Sequence, residues 1–437
     1  MTPSKQSRLE NRAIDLWTKI AVVAMAVLLI GLASHGAQAQ TFSVLHSFDG
    51  GNGLYPAAGL TIDRGGNFYG TARDGGSFTN GYFCELFFEN GCGTVFRFSK
   101  HGSSWILLPL WEFNSTNGAY PTTPITIGPN GSLYGATSLG GPYGGFGNGV
   151  IFHLAPTILA PASLISFWSE SLVYSFTGND DGGPGPSALI FDGAGNLYGA
   201  TVGGTYGAGT IFEFTPSGGG WMENVLYSFP GSGANGEYPQ GIVADSTFDH
   251  LYGATFKGGT NGCDGSGCGV VFELTRSGSD WTESVLHTFT DGYDGAWPLA
   301  PPIIDAAGNI YGTSSGGFVS PGTVWELSPS GGGWTFTVLY TFTGLSNRGP
   351  YGGLTMDAAG NLYGTTNADG PYGEGNVFKL SSSNGGWTYT DLYDFTGGND
   401  GGAPEGNVTL DANGNIYGTT TGGGQYGFSG VIWEITP

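Results

Sequence analysis

Short apolar runs broken by glycine, asparagine, aspartate and serine recur along almost the whole chain. Residues 347–395 show the unit. Gly353-Leu354-Thr355-Met356-Asp357 reads as a short apolar strand, and Asp357-Ala358-Ala359-Gly360-Asn361 as a turn. Gly360 fits a position with φ > 0, and the Asp357 carboxylate can bond nearby turn amides. A second strand follows at 361–366, a glycine-rich loop at 368–375, a third strand at 376–380, a polar turn at 381–386 and a fourth strand at 387–395. Strand-length runs with these breakers predict four antiparallel strands per unit.

The unit repeats. Its second strand carries a Tyr-Gly phrase at Tyr69, Tyr134, Tyr198, Tyr252, Tyr311, Tyr363 and Tyr417, in steps of 65, 64, 54, 59, 52 and 54 residues. The third strands read G-x-V/I-F/W, from Gly93–Phe96 to Gly430–Trp433. The fourth strands pair a tryptophan with a phenylalanine eight residues on: Trp105/Phe113, Trp168/Phe176, Trp221/Phe229, Trp281/Phe289, Trp334/Phe342 and Trp387/Phe395. An even spacing places both rings of a pair on one face of a regular strand.

Seven such units predict an all-β, seven-bladed β-propeller of four-stranded antiparallel blades. The last unit stops at Trp433-Glu434-Ile435, after its third strand, while residues 41–48 form an orphan fourth strand ending in Phe48. The N-terminal strand is therefore expected to complete the last blade and close the ring. Closure removes the exposed strand edges of an open array. The expected blades are about 57–113, 122–176, 187–229, 240–289, 299–342, 352–395, and 406–435 joined by 40–48.

Residues 1–39 read differently. Positive charges lie in 1–19, an apolar run spans 20–32, and Ala37-Gln38-Ala39 offers a small-x-small cleavage site. This is the pattern of a secretory signal peptide, too short for a comfortable span, and residues 40–437 are expected as one exported propeller domain. The mature domain is expected to be a monomer without a membrane span. The cysteines fit an oxidising compartment: Cys84 with Cys92 and Cys263 with Cys268 lie in two separate loops, so local disulfides are expected rather than a shared zinc site.

Charged residues make up only 11% of the chain against 14% aromatics and 84 glycines, a balance suited to strands and tight turns. The formal net charge is −22. Such a surface repels phosphate backbones and anionic lipid and excludes nucleic acid as a natural partner.

The 322–327 phrase G-T-V-W-E-L, the 338–342 phrase V-L-Y-T-F and the 357–366 phrase D-A-A-G-N-L-Y-G-T-T resemble the GloVer tandem-repeat family, whose members pair such repeats with differing surface anchors ("choice of anchor"). The likeness covers residues 40–437, and the turn phrase is also similar to that of two-component-regulator propellers. The second unit departs from it, with Gly128-Pro129-Asn130-Gly131 in place of the D-A-A-G turn. The absence of an anchor after Pro437 favours a freely released protein. The resemblance implies an exported repeat protein and no particular activity.

Chemistry is sparse in the sequence. His46, His101, His153, His250 and His287 each fill a slot held by Tyr, Glu, Asn or a polar turn in other repeats, and no G-x-S-x-G, H-E-x-x-H or P-loop phrase is present. Asp63, Asp192, Asp245, Asp305, Asp357 and Asp411 recur at the same turn in six of the seven units, which spreads them around the ring rather than pairing them. The loops leading into the blades are the better candidates. They read N/D-G-x-x-P in most copies, with Tyr55, Tyr120, Tyr238 and Trp297 before the proline. The second-to-third-strand loops add Tyr143, Tyr206, Tyr372 and Tyr426 and emerge on the same face. Tyr55, Tyr120, Tyr238, Trp297, Tyr351, Asp181, Asp294 and Asp400 are therefore the candidate ligand-binding residues. Rings with carboxylates around a channel mouth suit stacking on sugars and bonding to their hydroxyls. The acidic run Asn179-Asp180-Asp181 offers oxygens for Ca²⁺ but lacks the D-x-[DN]-x-[DN]-G spacing and closing glutamate. No other cofactor or metal is expected. The leading expectation is a non-enzymatic propeller presenting this face to a glycan, peptide or surface partner. The alternatives are an extracellular carbohydrate lyase or hydrolase with carboxylates at the channel mouth, and a structural cell-surface module.

Overall fold

The computed structural model describes residues 40–76, 90–142, 147–157, 167–183, 185, 187–231, 233–259, 262–343, 349–383 and 385–437. Among these, seven antiparallel sheets follow one another along the chain, and residues 42–436 form a single compact unit. The fold is an all-β, seven-bladed propeller. Blade 3 is typical: Ile190–Phe191 innermost, then Leu197–Thr201, Thr210–Ser217 and Gly220–Ser228 outermost. Blade 7 is built from both ends of the chain. Thr41–Ser47 pairs with Val431–Thr436, which continues to Ile416–Thr420 and Thr409–Leu410. Two blades vary the plan: the inner strand of blade 2 is split into Ala119–Pro121 and Thr126–Ile127, and that of blade 4 is one long strand, Gly236–Ala244, with a register shift between Pro239 and Ile242.

The repeated phrases explain how blades pack. In each second strand the residue after tyrosine is glycine because the third-strand aromatic lies across it: a Cβ on Gly70 would meet Phe96 Cζ at 2.5 Å. That aromatic then receives the closing phenylalanine of the preceding blade. Phe48 meets Phe96 at 5.5 Å between centroids, Phe113 meets Phe152 at 5.2 Å, Phe229 meets Phe272 at 5.2 Å and Phe395 meets Trp433 at 5.8 Å, all fully or almost fully buried. Burying such a ring stabilises by roughly 1.5–3 kcal/mol, and the motif recurs at every seam.

The tryptophan at the start of each outer strand points the other way. Trp105 of blade 1 packs near Tyr417 of blade 7, Trp221 of blade 3 near Tyr134 of blade 2, and Trp387 of blade 6 near Tyr311 of blade 5. The expectation that the eight-residue spacing sets both rings on one face is thus corrected. A register shift interrupts the outer strand pair between them, at Ile211/Phe212 in blade 3 and at the equivalent place in the other blades of this kind. One extra residue inverts the side-chain alternation, so one strand grips both neighbouring blades.

Hydroxyl bonds tie the inner strands around the axis. Thr61 Oγ1 donates to the Ile125 carbonyl at 2.5 Å, Thr126 to Leu189 at 2.7 Å, Thr355 to Val408 at 2.6 Å, and across the seam between the chain ends Thr409 to Leu60 at 2.5 Å. The recurring aspartates are turn-builders, as expected. Asp357 Oδ1 accepts from the Ala359 and Asn361 amides, both at 2.9 Å, and Oδ2 accepts from Asn361 Nδ2 at 2.7 Å and the Tyr363 hydroxyl at 3.1 Å. Burial pushes these carboxyls up, but the bonds from asparagine, turn amides and tyrosine outweigh it. Asp63, Asp305, Asp357 and Asp411 end below the usual carboxylate range.

Cys263 and Cys268 form a disulfide in the loop between the second and third strands of blade 4, with Cα atoms 5.3 Å apart. Cys84 lies outside the described residues, as do residues 1–39 and Tyr143. No helix among the described residues is long and apolar enough to cross a membrane.

Candidate functional site

The interblade loops are built around their aspartate or asparagine. Asp181 accepts from the Thr177 amide at 2.7 Å, Thr177 Oγ1 at 2.8 Å and the Tyr174 hydroxyl at 3.1 Å. Asp294 accepts from Thr290 Oγ1 at 2.6 Å and contacts His287 Nε2 at 3.1 Å. Asp400 accepts from the Thr396 amide at 2.9 Å and the Tyr393 hydroxyl at 3.1 Å, with the Thr396 hydroxyl closer still. Burial pushes Asp294 up, yet its bonds from His287 and Thr290 outweigh this and hold it low. The structure therefore spends these three candidate carboxylates on closing their own loops. They line the outer seams and do not gather at the axis.

In five blades the residue before the loop proline adopts an unusual backbone. Tyr55, Tyr120, Tyr238, Trp297 and Ala403 have φ of 52°, 57°, 61°, 55° and 51°, in the left-handed region that costs a non-glycine residue about 1–2 kcal/mol. The structure offsets this by docking each amide on the preceding blade. Tyr55 N donates to Ser429 O at 3.1 Å, Tyr120 to Cys92 at 3.0 Å, Tyr238 to Ala208 at 2.7 Å, Trp297 to Cys268 at 2.9 Å and Ala403 to Glu374 at 2.8 Å. The proline that follows covers the glycine opening the preceding blade's third strand: a Cβ on Gly430 would meet Pro56 Cδ at 2.8 Å, and one on Gly375 would meet Pro404 Cδ at 2.7 Å. This lock explains both the loop proline and the third-strand glycine. It also fixes Tyr55, Tyr120, Tyr238 and Trp297 half-buried around the mouth of the central channel. The Arg73 guanidinium lies 5.1 Å from the Tyr55 ring and 5.9 Å from Tyr120, Lys257 lies 5.7 Å from Tyr238, and Phe318 meets Trp297 edge-on at 5.0 Å.

Immediately after each proline comes the residue that lines the axis. These are Ala57 and Thr122 from blades 1 and 2, and Gln240, Leu299, Tyr351 and Glu405 from blades 4 to 7, while blade 3 contributes Gly185, which stands in the proline position itself, its next residue lying outside the described residues. Together they bound a cavity of about 240 Å³. Of the candidates read from sequence, Tyr351 is in this cavity wall, and Tyr55, Tyr120, Tyr238 and Trp297 are outside its lining, two residues before the residues that form it. Gln240 and Glu405 were missed, although both are legible as the position after the loop proline. Glu405 is half-buried, and burial pushes its carboxyl up against the opposing pull of the Arg73 charge. Arg73 itself lies 3.6 Å from the buried Asp74 carboxylate. No group of three or more His, Cys, Asp or Glu is placed to hold a metal among the described residues.

A set of exposed rings comes from the loops of blades 3 to 7. Tyr206, Tyr293, Phe318, Tyr372, Tyr426 and Phe428 are 58–80% exposed, and all lie in interblade or second-to-third-strand loops on this face.

The repeat phrases that create this geometry match a family model, the Gloeobacter/Verrucomicrobia repeat, over residues 36–172, 89–265 and 313–437. The chain belongs to the Gloeobacter/Verrucomicrobia repeat family. The comparison with curated proteins found no match. Solved structures similar to this repeat protein include a polysaccharide lyase, PL25 ulvan lyase, at 13% identity and TM-score 0.50, covering 90% of this chain and 95% of that one. Another is the extracellular domain of a hybrid two-component system from B. thetaiotaomicron, at 13% identity and TM-score 0.48, covering 91% of this chain and 42% of that one. A third is PorZ, a surface component of the type-IX secretion system of Porphyromonas gingivalis, at 15% identity and TM-score 0.49, covering 90% and 47%. The repeat protein thus spans less than half the length of the latter two. At these identities the likeness is one of fold.

Proposed function

We propose that this repeat protein is a non-enzymatic propeller that works outside the cytoplasm and binds a glycan across the face around the channel mouth. The observation that carries this reading is the placement of exposed rings: all the aromatic side chains more than half exposed among the described residues are in loops of the face that holds the axial cavity. Exposed aromatic side chains suit the apolar faces of sugar rings, burying area at little cost in side-chain freedom. The Cys263–Cys268 disulfide fits an oxidising compartment. Glu405 is the one carboxylate in the cavity wall among the described residues, which favours binding over glycoside hydrolysis, where two carboxylates flank the scissile bond.

The test is a glycan array probed with residues 40–437, followed by calorimetry on the strongest ligand. Binding is expected, and Trp297→Ala or Tyr206→Ala should weaken it up to about tenfold each, the worth of one aromatic contact. An array without any ligand would remove the glycan reading. Release of unsaturated or reducing ends from a bound polysaccharide would replace it with the lyase or hydrolase alternative.

A further inference from the structure

Internal repetition separates what the fold needs from what it does not. The loop proline and the third-strand glycine recur because they lock neighbouring blades together. The next residue after the proline is Ala57, Thr122, Gln240, Leu299, Tyr351 or Glu405, no two alike, at the six equivalent places among the described residues. Packing imposes no common identity there. A symmetric scaffold that displays six different side chains into one shared cavity has the form of a binding ring.

We infer that the axial cavity takes the terminal ring of a neutral glycan, end-on, with the Glu405 carboxylate as its hydrogen-bond anchor. This rests on the glycan-binding reading above. Three observations specify it. First, the cavity of about 240 Å³ lies below the ~300–1,000 Å³ of sites for drug-sized ligands, so it holds one ring rather than a length of chain. Second, Glu405 lines the cavity half-buried, and no donor hydrogen-bonds to its carboxylate among the described residues. Its oxygens are open to the cavity and only partly desolvated, so a ligand supplying donors can bond them in place of water. Third, the charges near it rule on the kind of donor. Arg73 acts on Glu405 and is itself held by Asp74 at 3.6 Å, so a cationic ligand meets the guanidinium. An anionic ligand meets Glu405 and a chain of net charge −22. Sugar hydroxyls are donors without charge. Gln240 and Tyr351 add an amide and a ring to the same wall.

The experiment uses residues 40–437 and linear neutral hexasaccharides of gluco, manno, galacto and xylo configuration, each with a cyclic or end-blocked counterpart, together with oligogalacturonate. A linear neutral hexasaccharide should bind, its end-blocked form at least tenfold more weakly, and oligogalacturonate more weakly still. Glu405→Gln should lose about tenfold or more, as for a hydrogen bond to a charged group. Ala57→Phe, which puts a large ring into the cavity from its wall, should lose about a hundredfold. Thr122→Tyr serves the same purpose should Ala57→Phe fail to give the wild-type near-UV circular dichroism. Wild-type binding that is unchanged by Glu405→Gln and by cavity filling would overturn the axial anchor while leaving a glycan-binding face. Tighter binding of oligogalacturonate would overturn the neutral-sugar assignment. Absence of binding to every probe and to the array would overturn the parent reading.

Discussion

Truncating Phe48 tests the closure of the ring. Phe48 ends the N-terminal strand, is fully buried and meets Phe96 of blade 1 at 5.5 Å, while its amide donates to the Gly430 carbonyl at 3.1 Å. Phe48→Ala removes a buried ring from a packed seam, which costs about 3–5 kcal/mol. With an unfolding entropy near 2.1 cal/mol/K per residue, a ring of roughly 400 residues has about 0.8 kcal/mol/K, so the melting temperature should fall about 4–6 °C. Phe229→Ala removes the equivalent ring between blades 3 and 4, where it meets Phe272 at 5.2 Å, and should lower melting by a similar amount. The two should differ in hydrogen exchange. The strand carrying Phe229 is joined to its blade through the chain, whereas Thr41–Ser47 is held to Val431–Thr436 only by pairing and packing. Phe48→Ala should therefore speed exchange selectively in 41–47 and 431–436, through local opening of that strand. Wild-type melting together with wild-type exchange in those segments would refute the closed seam as the source of stability.

Other outcomes follow from the same geometry. Gly418→Ala would drive a Cβ into the Trp433 ring and should cost about 1–3 kcal/mol by overpacking, whereas Gly360→Ala meets nothing within 4 Å but sits at φ +81° and should cost about 1–2 kcal/mol of backbone strain alone, both read from denaturant melts. Asp63, Asp305, Asp357 and Asp411 have folded pKa values below their unfolded value of about 3.9, so their stabilisation is present above that value and is lost as pH falls through the folded pKa. Melting temperature should accordingly drop between about pH 5 and pH 2, and Asp357→Asn should flatten part of that drop. Opening the Cys263–Cys268 loop with a double serine variant should cost about 2 kcal/mol by chain entropy and loosen Trp297, whose amide rests on the Cys268 carbonyl at 2.9 Å, which calorimetry with the array ligand would register as weaker binding.

Much of this architecture was written in the chain itself. The period of the Tyr-Gly phrase, the aspartate turns, and an orphan strand at one end matching a missing strand at the other determine seven blades and their closure, because each is a local pattern repeated often enough to override chance. What the sequence could not decide depends on contacts between units. The eight-residue Trp–Phe spacing hid a one-residue register shift, which turns the two rings toward opposite neighbours and is visible only in strand pairing. Asp181, Asp294 and Asp400 carried the composition of ligands, but their nearest donors are in their own loops. Glu405 and Gln240 looked like unremarked loop residues until the ring brought positions some 165 residues apart in sequence onto one axis. Local chemistry sets the blade; only the circular packing of seven blades decides which side chains share a cavity.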